Sequence, residues 1–371
     1  MKLKLSLIVL FLSHFTFASD FSGNVKFYGI NRDLIGNYDN QINYQLSSKF
    51  QYNKEIISNL KFELAYEVLM DHAKPIIHTE PEPNYRIKDL NIYLHNERPN
   101  SNYKTIVSQN LNRLNLNSSF EKFDLSLGRM PVAFGSAKSI NPTDVLAPFS
   151  LATLDKEEKI GLDALIIKSS INSTSLVEAG FVMGHDLESK KNAYYLRPKL
   201  NFNEFDMAIT LMHFKDKNLL GFDLQHPIKD AGFWFEASFT DVNQRGLNDF
   251  LRFTSGLDYK FQNTLYLAGE YHYNGAAINN LSLSPFDFIY LKNKHYFIIT
   301  SSYEFTPLLT GSLQSYYGAK DQSSLSSLKL EYNMIENAYL NLGSYRSIGD
   351  DQRTEFGRYG QVYYLACRYY Y

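Results

Sequence analysis

The sequence predicts an all-β chain: a transmembrane, antiparallel, up-and-down β-barrel of about 16–18 strands with one long inward-folding loop. Three observations carry that expectation. The chain opens on a short leader and never again shows an apolar run of helix length. Its apolar residues alternate with polar ones over segments of strand length. It ends on VYYLACRYYY, in which Tyr363, Leu365, Cys367, Tyr369 and Tyr371 share one face of an extended segment. Chain ends are ordinarily polar and frayed, so such a row has to be covered by protein or by lipid.

The leader comes first. Lys2 and Lys4 precede an apolar stretch over 5–12, and Thr16-Phe17-Ala18 supplies a small-x-small exit. This is the pattern of a secretory signal peptide, residues 1–18, leaving 19–371 as a single barrel domain. The apolar stretch is shorter than the ~20 residues of a spanning helix, which disfavours an N-terminal anchor. The single cysteine, Cys367, excludes an internal disulfide, and a net charge of −2 gives no concentrated basic face for nucleic acid.

The strands follow from parity. In LKFELAYEV (60–68) one face is Leu, Phe, Leu, Tyr, Val and the other Lys, Glu, Ala, Glu. Residues 233–240 set Phe233, Phe235, Ala237 and Phe239 against Trp234, Glu236, Ser238 and Thr240. Residues 265–273 and 328–334 divide in the same way, with Glu270 and His272 on the polar side of the first. In a barrel wall the apolar face meets lipid and the polar face the lumen. Tight connections (121–122, 203–204, 261–263, 336–337) alternate with long polar ones (71–84, 130–159, 274–292, 347–358) along most of the chain. A barrel with both ends on one side needs an even count, and the first five candidate strands leave it at about 16–18: either 103–109 is a strand rather than a loop, or one of the N-terminal segments does not span. The segment 363–371 closes the cylinder, since backbone groups in lipid must all be paired.

The most distinctive stretch is 111–167, with LNRLNL (111–116), FDLSLGRMPVAFG (123–135), NPTDVLAPF (141–149) and TLDKEEKIGLDAL (153–165). On these motifs the chain resembles a largely uncharacterised family of bacterial outer-membrane porin-type barrels, with a Gly-Arg strand end, an Asn-Pro-Thr-Asp loop and a charged run before Gly-x-Asp-Ala. The resemblance extends more loosely over 105–371. Lys159 stands where the family carries Arg, and Met130 where Gln is more usual. It implies a passive channel for small hydrophilic solutes, set in outer-membrane lipid of a Gram-negative bacterium. It also implies that the insertion machinery recognises the aromatic last residue, Tyr371. Porins often assemble as homotrimers, which the residues neither show nor exclude.

The residues also speak for themselves. Leu114, Leu116 and Phe120 share a face, so Arg113, Asn115 and Asn117 point inward. Thirty residues (130–159) without alternation are too many for an ordinary connection. Folded into the lumen, this loop forms a constriction in which Arg113 and Arg129 oppose Asp144, Asp155, Glu158 and Asp163, and the resulting transverse field screens solutes. Arg129 shares parity with Leu127, which would aim it at lipid unless the strand has already ended at the polar rim or Gly128 marks a bulge that resets the face. Glu178, Glu236 and Glu270 point inward, as pore lining or simply as solvated lumen carboxylates.

No nucleophile elbow, phosphate loop, dinucleotide glycine pattern or zinc spacing occurs, so neither catalysis nor a cofactor or metal is expected. His72 with His78, lone His213, and His272 beside Glu270 are weak candidates set against solvated or packed histidines. Asp155, Glu157 and Glu158 match no EF-hand spacing. Two rival readings remain: a barrel hydrolase of the outer membrane, and a closed barrel with a structural or adhesive role.

Overall fold

The computed structural model describes residues 20–33, 41–73, 85–88, 94–96, 104–151, 153–242, 248–279, 291–350 and 353–371. The expected leader, and His78 with it, lie outside them. One antiparallel sheet contains β1 (Phe21–Arg32), β2 (Gln41–Ile57), β3 (Leu60–Ala73), β4 (Leu94–Asn96), β5 (Lys104–Ser119), β6 (Phe123–Pro131), β7 (Gly161–Ser170), β8 (Leu176–Val182) and β9 (Ala193–Phe202). It continues through β10 (Phe205–Phe214), β11 (Lys217–Ile228), β12 (Ala231–Val242), β13 (Phe250–Lys260) and β14 (Tyr266–Asn274). The last strands are β15 (His295–Thr306), β16 (Leu309–Gly318), β17 (Ser323–Ile335), β18 (Ala338–Ile348) and β19 (Val362–Tyr370).

Each strand pairs with its sequence neighbour, except that β3 passes β4 and pairs directly with β5. Strand β4 is a three-residue addition that pairs with Ile106 and its neighbours on β5. The other strands close a ring of 18, because β1 pairs with both β2 and β19. In that closing pair Lys26 stands opposite Arg368. The ambiguity over 103–109 resolves here. Those residues are the first half of one 16-residue strand, β5, interrupted at Asn112, where the register with β3 shifts by one.

Burial along the strands follows the expected parity. In β12, Trp234, Glu236, Ser238 and Thr240 are buried while Phe239 is exposed; in β19, Tyr364, Ala366 and Arg368 alternate with exposed Tyr363, Leu365 and Cys367. Exposed Leu257, Ile299 and Leu342 continue this apolar coat around the ring. In water each such side chain would forgo roughly 1.5–3 kcal/mol of burial; in lipid it forgoes none. The connections 58–59, 120–122, 203–204, 229–230, 307–308 and 336–337 are tight and lie at the rim that also holds the start of β1 and the end of β19. The 203–204 turn places Asn203 and Glu204 both at positive φ (48° and 68°), the two-residue hairpin geometry whose twist matches the strands. Rings gather on this rim: Phe21 lies 4.7 Å from Tyr52, Phe120 4.7 Å from Phe123, and Tyr259 4.7 Å from Phe261. Such aromatic girdles mark the membrane interface of barrels.

The opposite rim carries the longer connections, of which 132–160 folds inside the ring. It has two apolar feet. Val132, Phe134, Val145 and Leu146 pack on Leu162, Ala164 and Ile166 of β7 and on Met212 and Phe214 of β10. Ile140 and Leu151 pack on Tyr296, Ile298, Tyr316 and Leu325, with Phe356.

Candidate functional site

The loop 132–160 is seated on the inner wall by carboxylates that point inward for reasons of strand parity alone. Glu236 on β12 is fully buried and accepts five hydrogen bonds from the loop: Ser136 N (3.1 Å), Ala137 N (3.0 Å), Asn141 Nδ2 (3.1 Å), Thr143 N (2.8 Å) and Thr143 Oγ1 (2.7 Å). The Asn-Pro-Thr-Asp stretch is therefore a cap folded over one wall carboxylate. Glu270 on β14 accepts from Lys138 N (2.8 Å) and Trp234 Nε1 (2.8 Å). Arg252 and Thr254 of β13 donate to the carbonyls of Pro142 (2.6 Å) and Ile140 (2.7 Å). Hydrogen bonds to charged groups contribute ~1.5–3 kcal/mol each, so the seat is strong as well as specific.

From this anchorage the loop crosses to the opposite wall. Tyr345 of β18 donates to the Thr153 carbonyl. Lys26 of β1 holds both Asp155 and Glu157 at 2.6 Å, and Tyr28 donates to Asp155 at 3.1 Å. Arg368 and Tyr370 of β19 hold Glu157. Glu158 is paired with Lys49 of β2 and with Arg113 of β5 (3.3 Å), and Arg113 also reaches Glu63 of β3 (3.4 Å). Burial alone would raise the Glu158 pKa, but Lys49 and Arg113 outweigh it and hold the carboxyl below its ordinary range. Beneath the acidic tip, toward the short-turn rim, is a cavity of about 460 Å³ lined by Glu157, Lys329, Glu331, Tyr339, Arg368 and Tyr370.

The sequence-named residues do not form the expected facing rings of opposite charge. Asp144 pairs with Lys159 inside the loop and is buried, and burial pushes its carboxyl pKa up against the pull of Lys159. Arg129 and Asp163 stand opposite each other in the β6–β7 register and are joined at 2.7 Å and 2.8 Å. They also bind the 85–88 segment, through the Lys88 carbonyl and the Ile87 N–H. The Tyr85 carbonyl of that segment accepts from the Asp163 N–H. Gly128 has a positive φ of 120° but marks no bulge, since the register runs through it without a shift on both sides; Arg129, which shares parity with exposed Leu127, is buried near the end of β6, where Asp163 and the Lys88 carbonyl hold it. Glu178 is buried on β8 with Tyr195 Oη at 2.8 Å and belongs to the wall rather than to the loop contacts.

Of the cations that hold the loop tip, parity marked Arg113 and left Lys26, Lys49 and Arg368 unmarked. Lys26, Lys49 and Arg368 are ordinary alternate-position residues, and nothing local marks them as partners of a loop more than a hundred positions away. The weak histidine candidates stay apart: His72 bonds Thr105 (2.8 Å), His213 faces outward to Asn218 (2.8 Å), and buried His272 bonds Thr254 (2.8 Å) while Glu270 is engaged elsewhere. Among the described residues no His, Cys, Asp and Glu cluster has metal-binding geometry.

No protein-family model and no curated protein matches this chain in sequence. Solved structures do match in fold. Acinetobacter baumannii OccAB4 aligns with a TM-score of 0.55 at 12% identity over 95% of this chain and 97% of its own. Pseudomonas aeruginosa OccK9 (OpdG) aligns at 0.58 and 11% over 94% and 97%, and the outer membrane protein opdK of the same organism at 0.56 and 11% over 96% and 100%. At that identity the likeness concerns architecture, and it agrees with the ring of paired strands: the chain has the fold of the 18-stranded outer-membrane barrels.

Proposed function

We propose that the protein is an outer-membrane porin through which small hydrophilic solutes or ions diffuse passively, in a lumen narrowed by the loop 132–160. The observation that carries this reading is the sidedness of the wall. Side chains such as Leu257, Ile299 and Leu342 face outward exposed, while Lys26, Lys49, Glu63, Glu236 and Glu270 face a polar interior. Arg113 and Glu158 line the narrowing, and Glu236 and Glu270 hold it in place. Arg129, Asp144 and Asp163 act behind it as structural pairs, and Glu178 as wall.

In this reading residues 1–18 direct export, both ends of the mature chain face the periplasm, and Tyr371 with its strand presents the insertion signal. Porins often assemble as homotrimers, and that assembly is open to this chain. The fold of the Occ and Opd structures supports the reading.

The test is planar-bilayer recording of purified protein, with reversal potentials in a salt gradient. Discrete conducting steps support the porin reading. Folded protein that inserts without conducting would sink it and favour a closed structural barrel.

A further inference from the structure

We propose that the cavity beneath the loop tip is a binding subsite for a neutral polyhydroxylated solute, a sugar or sugar alcohol. The inference rests on the porin reading and adds to it the chemical class of one solute.

Three neighbouring strands build this cavity, and parity turns their side chains into it: Lys329 and Glu331 on β17, Tyr339 on β18, Arg368 and Tyr370 on β19. Glu157 of the loop closes it from above. Its volume of about 460 Å³ lies within the ~300–1,000 Å³ of small-molecule sites. The charges that line it cancel. Glu331 binds Lys329 (3.3 Å) and Arg368 (2.5 Å), and Glu157 binds Arg368 as well. Lys26, which holds Glu157 together with Asp155, adds one further charge of each sign. A small ion gains little here, because whichever sign it carries it meets a pair, attracted by one half and repelled by the other.

What the pairs leave over is hydrogen-bonding capacity. A carboxylate offers about four lone-pair sites, of which these contacts use only some, and a lysine ammonium has several donors. The side chains of Lys329, Glu157 and Glu331 are 42%, 33% and 30% exposed, so part of that capacity faces the cavity. Beside them stand the rings of Tyr339 and Tyr370, edge to face with centroids 5.8 Å apart. Vicinal hydroxyls that donate to Glu331 or Glu157 and accept from Lys329, with the C–H face of the solute laid on a phenol ring, use acceptors, donor and apolar surface together. An apolar solute would strand the charged groups without water.

Single-channel recording with added sugar tests the inference. Glucose or maltose is expected to interrupt the potassium chloride current of the wild-type channel in a concentration-dependent way. Equal concentrations of gluconate or glucosamine, the charged counterparts of glucose, should interrupt it less. Tyr339→Ala removes a ring face and should raise the half-blocking sugar concentration about two- to tenfold, the effect of one aromatic contact. Glu331→Gln keeps the shape of the site but uncovers Lys329 and Arg368. It should weaken the sugar block and admit a block by gluconate, so the test survives a failure of either variant to fold. A conducting wild-type channel blind to both sugars, one blocked equally by gluconate or glucosamine, or folded variants blocked like the wild type would overturn the inference and leave the porin reading standing. Folded wild-type protein without conductance strikes the porin reading itself and takes the inference with it.

Discussion

At the scale of single residues, a few buried carboxylates decide where the loop lies. Glu236 gathers three backbone N–H groups, one hydroxyl and one amide. Replacing it by alanine orphans those donors, each at a cost of ~1–3 kcal/mol, and the barrel wall remains closed without it. Glu236→Ala is therefore expected to give larger and noisier single-channel conductance from protein that still folds; unchanged conductance would remove Glu236 as the seat. Glu158 predicts a pH dependence. Its folded pKa lies below the ordinary value, so its ion pairs stabilise the loop fully above the usual glutamate range of about 4.3 and lose that contribution as pH falls below it. The conductance change that belongs to Glu158 should appear only beneath that range and be missing from Glu158→Gln; its persistence in that variant would show that it comes from another group.

At the scale of elements, parity was legible and its exceptions were not. The segments at 233–240, 265–273 and 328–334 have the sidedness their sequence announces, because period-two alternation is a property of the extended backbone itself. Arg129 escapes that rule near the end of β6, where Asp163 and the 85–88 segment hold it. Beside it Gly128 has a positive φ of 120°, which costs little for glycine and much for other residues. Gly128→Ala is expected to cost ~1–3 kcal/mol and to lower the thermal unfolding midpoint in detergent; an unchanged midpoint would mean that the strand tolerates a side chain there. The long loop was recognisable by its length and lack of period, but its partners were not. Asp155 meets Lys26 from 129 positions away and Glu158 meets Lys49 from 109. No local signal encodes such contacts; they exist only once the ring brings the first and last strands together. For the same reason the expected opposition of Arg129 to Asp163 across the lumen is instead a bond between neighbouring strands.

At the scale of the whole molecule, the closed ring is what makes every other statement possible. Deleting residues 362–371 would leave β1 and β18 each with an unpaired edge, and each orphaned backbone group in lipid costs several kcal/mol. The truncated chain is expected to yield no folded, heat-modifiable species in detergent or bilayers. Recovery of a conducting barrel from it would contradict closure through β19. The strand count of 18 came within reach of the sequence because the ring must be even for both ends to share a rim; the uncertainty came from one long strand broken at Asn112.

The seam of the cylinder carries its own charge lock. Lys26 and Arg368 stand directly opposite each other where the first strand meets the last, and like charges so placed repel by roughly 1 kcal/mol or less. Glu157 of the loop binds both, and Glu331 of β17 binds Arg368 as well. The inward-folded segment is thus also a clasp: a carboxylate that narrows the passage rivets the join of the wall around it.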